Sequence, residues 1–350
     1  MQMLDNQHPS LIFLISQPRA GSTLTQKILG SHSEILTLSE PWLMLHPLYA
    51  FKQGGFSAEY EAKPARAGIE SFLAYLSPDG AKSSEQIYFE SVANFYGDLY
   101  QKALDTSDKS IFLDKTPRYY NIIPELHSTF PQAKFILLIR NPLAVLCSMV
   151  STWTQDRWFG LRRFKHDLMK APSLLIEGME SLGEKAIVLH YEELVREPET
   201  VVENLCQKLS ISYTPELINY GSKNTSNWKM GDKKSVHRME TPDARLSDRW
   251  ISSLQSPQIW RFVSDYLDAL GDETLEKLGY SFSDLRLLLD EKHPGKLRLI
   301  NSIALSSALK EQDDFASWNY GYYPPLIKYS LQQKGFLETT ARAIQKIVPL

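Results

Sequence analysis

The sequence has few cysteines, no long apolar run and no excess of either charge. Two cysteines in 350 residues, Cys147 and Cys206, exclude a disulfide framework, and neither lies in a cluster at metal-ligand spacing. The 38 Lys and Arg are balanced by 41 Asp and Glu, which argues against a protein that coats nucleic acid. The apolar run at 11–15 is far shorter than the ~20 residues of a membrane helix. We therefore expect a cytoplasmic protein with no membrane span and no nucleic-acid partner.

Apolar residues make up 43% of the chain, enough for a large core. Short apolar runs without polar alternation lie at 11–15, 135–139 and 186–189, with a weaker one at 111–113. Such runs are typical of strands covered on both faces. Patterns of helical spacing separate them, at 23–29, 86–104, 143–153 and 201–209. The alternation predicts an α/β fold, a central parallel sheet with helices on both faces.

The chain shows no linker, repeat or long run of one charge, so we expect one main domain over 8–280. The tail, 281–350, has helical patterns at 285–289, 297–309 and 336–348 and is predicted to pack on that domain as a helical extension. Whether the tail lines an acceptor pocket or forms a subunit contact stays open, as does the oligomeric state.

The segment after the first apolar run, 16–24, has the layout of a phosphate-binding loop. A Pro/Gly turn precedes Ser22 and Thr23, which open a helix whose unpaired N–H groups and positive end would face an anion. Arg19 adds a charged fork. Ser22 stands where nucleoside triphosphatases carry the loop lysine, which counts against a kinase or ATPase. A capped helix without ligand is the alternative.

A second anion motif follows the run at 135–139. Arg140 stands at the strand end, Pro142 suits a first helical turn, and Ser148 follows eight residues after the arginine. Taken alone, this pattern is weak.

Together the two motifs resemble those of the sulfotransferases that use 3′-phosphoadenosine 5′-phosphosulfate (PAPS). The first resembles P-R-x-G-[ST]-T and the second R-[DN]-P-x-x-x-x-x-S, in the family's order. The resemblance implies a P-loop-NTPase-like sulfotransferase fold, PAPS as sulfate donor and no metal. It also assigns nucleotide contacts: the 5′-phosphosulfate end to Arg19, Ala20, Gly21, Ser22 and Thr23, and the 3′-phosphate to Arg140 and Ser148.

The same resemblance implies the catalytic residues. Glu40 stands where carboxylate-using members, such as the tyrosylprotein sulfotransferases, have their catalytic base. Lys115, in a segment similar to the family's K-[TD]-P, would neutralise the leaving phosphate together with Arg19. His46 is the rival base. Asp114 is interpreted as a local charge partner of Lys115, not as a metal ligand.

Other nucleotide contacts are less well marked. Tyr191, in a segment similar to the family's Y-E-x-L, is expected to touch the nucleotide, with a buried aromatic as the alternative. Lys233 and Lys234 lie where the family often has a loop over the nucleotide. Some members carry a basic residue at the position of Thr152, so a third 3′-phosphate contact is in doubt.

For the acceptor we expect a small organic molecule with a hydroxyl group. The insertion between the two motifs is rich in aromatics, which suit such a molecule better than an acidic polysaccharide; they are Tyr49, Phe51, Phe56, Tyr60, Phe72, Tyr75, Tyr88, Phe89 and Phe95. The alternatives are sulfation of an amine, lipid, sugar or peptidyl tyrosine, a nucleotide or small-molecule kinase with an atypical loop, and a silent nucleotide-binding module.

Overall fold

The computed structural model describes residues 9–49, 62–154, 161, 164–222 and 240–295. In these residues five strands form one sheet in the order β2-β3-β1-β4-β5, with every neighbouring pair parallel. The strands are β1 Ser10–Ser16, β2 Ile35–Thr37, β3 Ile111–Lys115, β4 Lys134–Ile139 and β5 Ala186–His190. The predicted parallel sheet is confirmed. We did not predict β2, because three residues ending in a threonine give no apolar run.

Helices cover both faces of this sheet. In chain order they are α1 Ser22–Gly30, α2 Leu45–Tyr49, α3 Ala62–Leu76, α4 Ser84–Leu104, α5 Ile123–Thr129, α6 Pro142–Trp153, α7 Lys165–Met169, α8 Ala171–Leu182, α9 Tyr191–Arg196, α10 Pro198–Leu209, α11 Arg245–Asp248, α12 Pro257–Lys277 and α13 Phe282–Glu291. Short 3₁₀ segments join them, among them Pro117–Asn121 and Arg249–Gln255.

Alternation along the central strand divides the core into two layers. Ile12 and Leu14 of β1 pack with α1, α6, α10 and α12 on one face, whereas Phe13 and Ile15 pack with α4, α5 and α8 on the other. Successive side chains of a strand point to opposite faces, so a strand with both faces buried needs apolar residues throughout. The apolar runs at 11–15 and 135–139 became the inner strands β1 and β4, whereas the run at 186–189 became the edge strand β5.

The first part of the predicted tail is helical. Helix α13 buries Leu285 and Leu289 in the core that α12 shares, and the indole N–H of Trp260 donates to the Leu289 carbonyl at 2.7 Å. The patterns at 297–309 and 336–348 lie outside the described residues, and the division at 280 stays a prediction.

Both cysteines are buried and unpaired. Burial raises the pKa of the Cys147 thiol to about 12 and that of Cys206 to about 11, so both behave as small apolar residues. No helix in the described part of the chain combines the length and apolar composition that a bilayer crossing requires.

The strand order places a crevice at one edge of the sheet. Strand β1 lies between β3 and β4. The chain builds β2 and β3 on one side of β1, and it then crosses over to build β4 and β5 on the other side. In open parallel sheets, ligands bind beyond the carboxyl ends of the strands at such a point. Each predicted nucleotide or catalytic residue in the described chain follows or ends one of these strands, or lies on the helix after it.

Candidate active site

The first loop turns sharply between β1 and α1. The Ala20 amide donates to the Gln17 carbonyl at 3.1 Å, and both Arg19 and Gly21 have positive φ, 71° and 102°. No side chain of the described residues caps α1, and the positive end of the helix dipole at this turn favours an anion. Ala20 is buried and shapes the turn, whereas Arg19, Gly21, Ser22 and Thr23 line a cavity.

The second motif lies beside the first loop. The Asn141 side chain accepts the Leu143 amide at 2.9 Å and so starts α6. Arg140 donates to the Arg19 carbonyl at 3.1 Å, and its Nε is buried without a hydrogen-bond partner among the described residues. Ser148 lies further along α6, and its hydroxyl oxygen accepts a hydrogen bond from Arg19 Nε at 3.2 Å. The two predicted anion motifs therefore form one continuous site.

Arg19 spans the two motifs. Besides Ser148, its guanidinium reaches Thr152 Oγ1 at 3.4 Å. Thr152 thus occupies the position at which some members have a basic residue, and here it holds Arg19.

Tyr191 joins the loop to the second motif. Its ring is buried and carries the Arg140 guanidinium 4.2 Å above its centre. The same ring packs so closely on Gly21 that a Cβ there would stand 2.3 Å from Tyr191 Cδ2. Only glycine combines this approach with its φ of 102°. Tyr191 lines the cavity and is also buried in the core, and its contact with a nucleotide stays a prediction.

Behind Arg140, the start of α6 is held by Glu192. One carboxylate oxygen accepts the Asn141 amide at 3.1 Å and the other accepts the Tyr280 hydroxyl at 2.8 Å. Burial, followed by the charge of Glu192, raises the pKa of Tyr280 well above its usual range, so the phenol remains a donor.

On the other side of β1, Glu40 and Lys115 form an ion pair. The ammonium donates to Glu40 Oε1 at 2.6 Å; the lysine side chain is 0% exposed and the glutamate 12%. Burial lowers the pKa of Lys115, although the charge and hydrogen bond of Glu40 act in the opposite direction. Glu40 lines the cavity, and Lys115 lies behind it. His46 is exposed on α2 and is not among the cavity-lining residues.

Asp114 points to the opposite face of the sheet from Lys115. Its hydrogen-bond donors are the hydroxyls of Tyr100, Thr116 and Tyr119, at 2.7, 2.9 and 3.0 Å. Burial raises the pKa of Asp114 to about 6, against the effect of these donors. The charges of Asp114 and Lys115 attract each other, which agrees with the interpretation of Asp114 as a local charge partner. The two side chains do not form the direct ion pair, because neighbouring positions of a strand face different layers and Lys115 pairs with Glu40.

The cavity that contains these groups has a volume of about 750 Å³. Sequence analysis missed several of its lining residues, among them Trp42, Arg118 and Arg249. Arg118 follows Lys115 by three positions in the predicted motif, a signal that could have been used. Nothing in the pattern marked Arg249. Lys233 and Lys234 lie outside the described residues.

The aromatic residues predicted to form the acceptor pocket do not line this cavity where they are described. Phe72, Tyr75 and Phe95 are exposed on α3 and α4, and Phe89 is in the core. Tyr49 and Tyr88 pack partly buried against that core. Phe51, Phe56 and Tyr60 lie outside the described residues. Among the described residues, no group of three or more His, Cys, Asp or Glu could hold a metal ion.

Two solved structures of sulfotransferases are among those to which this chain is similar. The sulfotransferase domain from the olefin synthase of Synechococcus PCC 7002 is 24% identical, with 72% of this chain and 90% of that chain covered and a TM-score of 0.47. A mouse sulfotransferase complexed with PAP is 15% identical over 81% of this chain and 88% of that one, with a TM-score of 0.39.

The sequence relatives include a nodulation protein and a protein-tyrosine sulfotransferase. Nodulation protein NoeE from Sinorhizobium fredii is 27% identical over 301 residues, 79% of this chain and 67% of that protein. Protein-tyrosine sulfotransferase A from Caenorhabditis elegans is 26% identical over 219 residues, 61% of this chain and 53% of the nematode protein. The model of the sulfotransferase family matches residues 9–215, more than half of the chain. The chain therefore belongs to the sulfotransferase family.

Proposed function

We propose that this sulfotransferase transfers a sulfuryl group from PAPS to a hydroxyl of a small organic acceptor. PAPS supplies an activated sulfate whose leaving group is the phosphate of adenosine 3′,5′-bisphosphate (PAP). We place the reaction in the cytoplasm, where the two buried, unpaired cysteines stay reduced.

One observation carries the proposal: two anion motifs from different strands meet in one cavity, joined by the hydrogen bond from Arg140 to the Arg19 carbonyl. The first turn of α1, with Ser22 and Thr23, would hold the 5′-phosphate. Arg140 and Ser148 would hold the 3′-phosphate. The buried Arg140 Nε has a donor to offer, since no described group accepts from it. A nucleotide with a phosphate at each end fits this pair of sites.

The proposed base is Glu40. Its carboxylate lines the cavity, and Lys115 fixes one oxygen at 2.6 Å. A carboxylate in this position accepts the acceptor's proton as the new bond to oxygen forms. The exposed position of His46, away from the cavity lining, favours Glu40 over it.

Two cations lie at the proposed reacting site: Arg19 lines the cavity, and the buried Lys115 lies directly behind Glu40. We assign to both the neutralisation of charge on the leaving phosphate. The Lys115 ammonium is anchored to Glu40, and the Arg19 guanidinium is anchored to Ser148 and Thr152, so each is held in place before the nucleotide binds. Fixed charges of this kind need no reorganisation during the reaction.

A small acceptor is supported by the shape of the site. The cavity of about 750 Å³ lies within the range of ~300–1,000 Å³ that small-ligand pockets occupy, and in this proposal it holds both the nucleotide and the acceptor, which favours a small acceptor. Next to Glu40 its wall consists of Trp42, Pro117 and Arg118. Arg118 is paired with Asp167 at 2.7 Å, which leaves this wall without an unbalanced positive charge for an acidic polymer.

Calorimetry with PAP and with Mg²⁺-ATP tests the nucleotide. We expect PAP to bind and ATP to bind much more weakly; the opposite order would favour a kinase. Arg140→Ala should weaken PAP at least ~10-fold more than it weakens AMP, because only PAP has the 3′-phosphate. Arg66→Ala, on the outer helix α3 and outside the cavity lining, is the matched control. Equal losses for PAP and AMP would contradict the 3′ role.

The base is tested with labelled PAPS. A screen of hydroxyl, amine and sugar acceptors of low mass identifies the substrate class by transfer of labelled sulfate. With the fastest acceptor, Glu40→Gln should keep PAP affinity and lower turnover by ~10²-fold or more. Full turnover in this variant would remove Glu40 as the base.

A further inference from the structure

The segment that carries Glu40 has an unusual backbone two residues further on. Trp42 has a φ of 57°, a region that bulky side chains rarely adopt. Such a conformation persists only where the surroundings hold it, and it is common where a side chain must be aimed. The contacts of Trp42 show what it is aimed at.

Two buried hydroxyl groups accept hydrogen bonds from the backbone of this segment. The Trp42 amide donates to Thr116 Oγ1 at 3.4 Å, and the Met44 amide donates to the Tyr119 hydroxyl at 3.1 Å. Both hydroxyls in turn donate to Asp114. One buried carboxylate, tied to β3, therefore fixes two amides of the loop after Glu40.

The ring of Trp42 is held by a cation–π contact. The Arg118 guanidinium lies 5.5 Å from the ring centre, and Asp167 binds that guanidinium through both oxygens at 2.9 and 2.7 Å. Tyr120 donates to the same Asp167 at 2.7 Å. The indole is thereby fixed by groups from two further elements of the fold.

The indole N–H completes the arrangement. It donates to Glu40 Oε2 at 3.2 Å, while Lys115 donates to Oε1 at 2.6 Å. Each carboxylate oxygen has its own donor, so the plane of the carboxylate is defined. We propose that Trp42 is a positioning residue that fixes the orientation of Glu40 for proton transfer; this rests on the proposed role of Glu40 as base.

Indole nuclear magnetic resonance tests the contact without substrate. In protein labelled with ¹⁵N-tryptophan, the Trp42 N–H signal is assigned by its loss in Trp42→Phe. A neutral amide is a weaker acceptor than a carboxylate, so Glu40→Gln should move this signal upfield. The Trp260 signal, whose indole donates to the Leu289 carbonyl, should stay in place. An unchanged chemical shift of the Trp42 indole N–H in Glu40→Gln would overturn the proposal.

Turnover of PAPS with the screened acceptor tests the consequence. Trp42→Phe keeps an aromatic ring at Arg118 and removes the indole donor to Glu40, so we expect kcat to fall about tenfold with PAP affinity unchanged. In the Glu40→Gln background the same change should have little further effect, since the two residues act as a unit. Trp260→Phe, which also loses an indole hydrogen bond, is the control and should keep wild-type kcat.

The outcomes separate the two hypotheses. Equal losses from Trp42→Phe in both backgrounds would indicate a merely structural role and refute the positioning role. Full activity of Trp42→Phe, beside an inactive Glu40→Gln, would refute it as well and leave Glu40 as base. Full activity of Glu40→Gln would refute the proposed base itself.

Discussion

The close contact between Gly21 and Tyr191 allows a sharp prediction for Gly21→Ala. The new Cβ would stand 2.3 and 2.5 Å from two carbons of the Tyr191 ring, whereas carbon atoms in contact prefer ~3.5–4.0 Å. The ring must therefore move by about 1 Å. It cannot move alone, because the Arg140 guanidinium stacks on it at 4.2 Å.

Two effects add up in this variant. An alanine with a φ of 102° is strained, at a cost of ~1–3 kcal/mol. Displacement of Tyr191 then disturbs the stacked Arg140, and a hydrogen bond to a charged group contributes ~1.5–3 kcal/mol. We expect the free energy of unfolding to fall by ~2–4 kcal/mol, and PAP to bind ~10–100-fold more weakly.

Urea denaturation and calorimetry with PAP measure the two effects. Gly80→Ala is a matched control, because Gly80 has a φ of 69° and no atom within 4 Å of the added Cβ. That variant has the backbone strain alone and should keep PAP affinity. If Gly21→Ala loses no more stability than Gly80→Ala and binds PAP normally, the contact with Tyr191 is not what holds the loop.

Two further predictions follow from buried polar groups. Burial raises the pKa of the Asp114 carboxyl from 3.8 to about 6, so as the pH falls the folded state binds a proton before the unfolded state does. The free energy of unfolding of the wild type, relative to that of Asp114→Asn, should therefore rise by about 2 kcal/mol between pH 7 and pH 4. Urea denaturation across this range measures it, and a constant difference would show that Asp114 does not titrate there. Tyr280→Phe removes the donor to Glu192 and should lower the affinity for PAP ~3–10-fold, measured by calorimetry. Tyr88→Phe is the control, because it loses a similar hydrogen bond to the Pro47 carbonyl on the outer layer and should keep its affinity. Equal affinity of both variants would show that Glu192 does not hold the start of α6.

Much of the fold was predictable because it depends on local patterns. The inner strands β1 and β4 are buried on both faces and are apolar over almost their whole length, and the loop after β1 is marked by its Pro/Gly turn. Strand β2 escaped because it pairs only with β3 and has three residues. An edge strand of that length needs no apolar run.

The residue types of the candidate site could be predicted from the sequence, but the contacts between them could not. The pairing of Glu40 with Lys115 joins positions 75 residues apart, and the bond of Arg140 to the Arg19 carbonyl joins positions 121 apart. Both depend on strand order, which periodicity does not reveal. Trp42 was missed for the same reason, because its role follows from a backbone angle and from partners on other elements.

The order of strands also separates what must stay fixed from what is free to vary. The proposed nucleotide groups follow β1, β4 and β5, whereas Glu40 and Lys115 belong to the half of the sheet formed by β2 and β3. Between those two strands the chain inserts α3 and α4. Neighbouring strands keep a spacing of ~4.8 Å whatever is inserted between them in sequence. No described residue of α3 or α4 lines the cavity, so we expect this excursion to tolerate changes in length and sequence, while the backbone ladder preserves the distance between the proposed nucleotide contacts and Lys115.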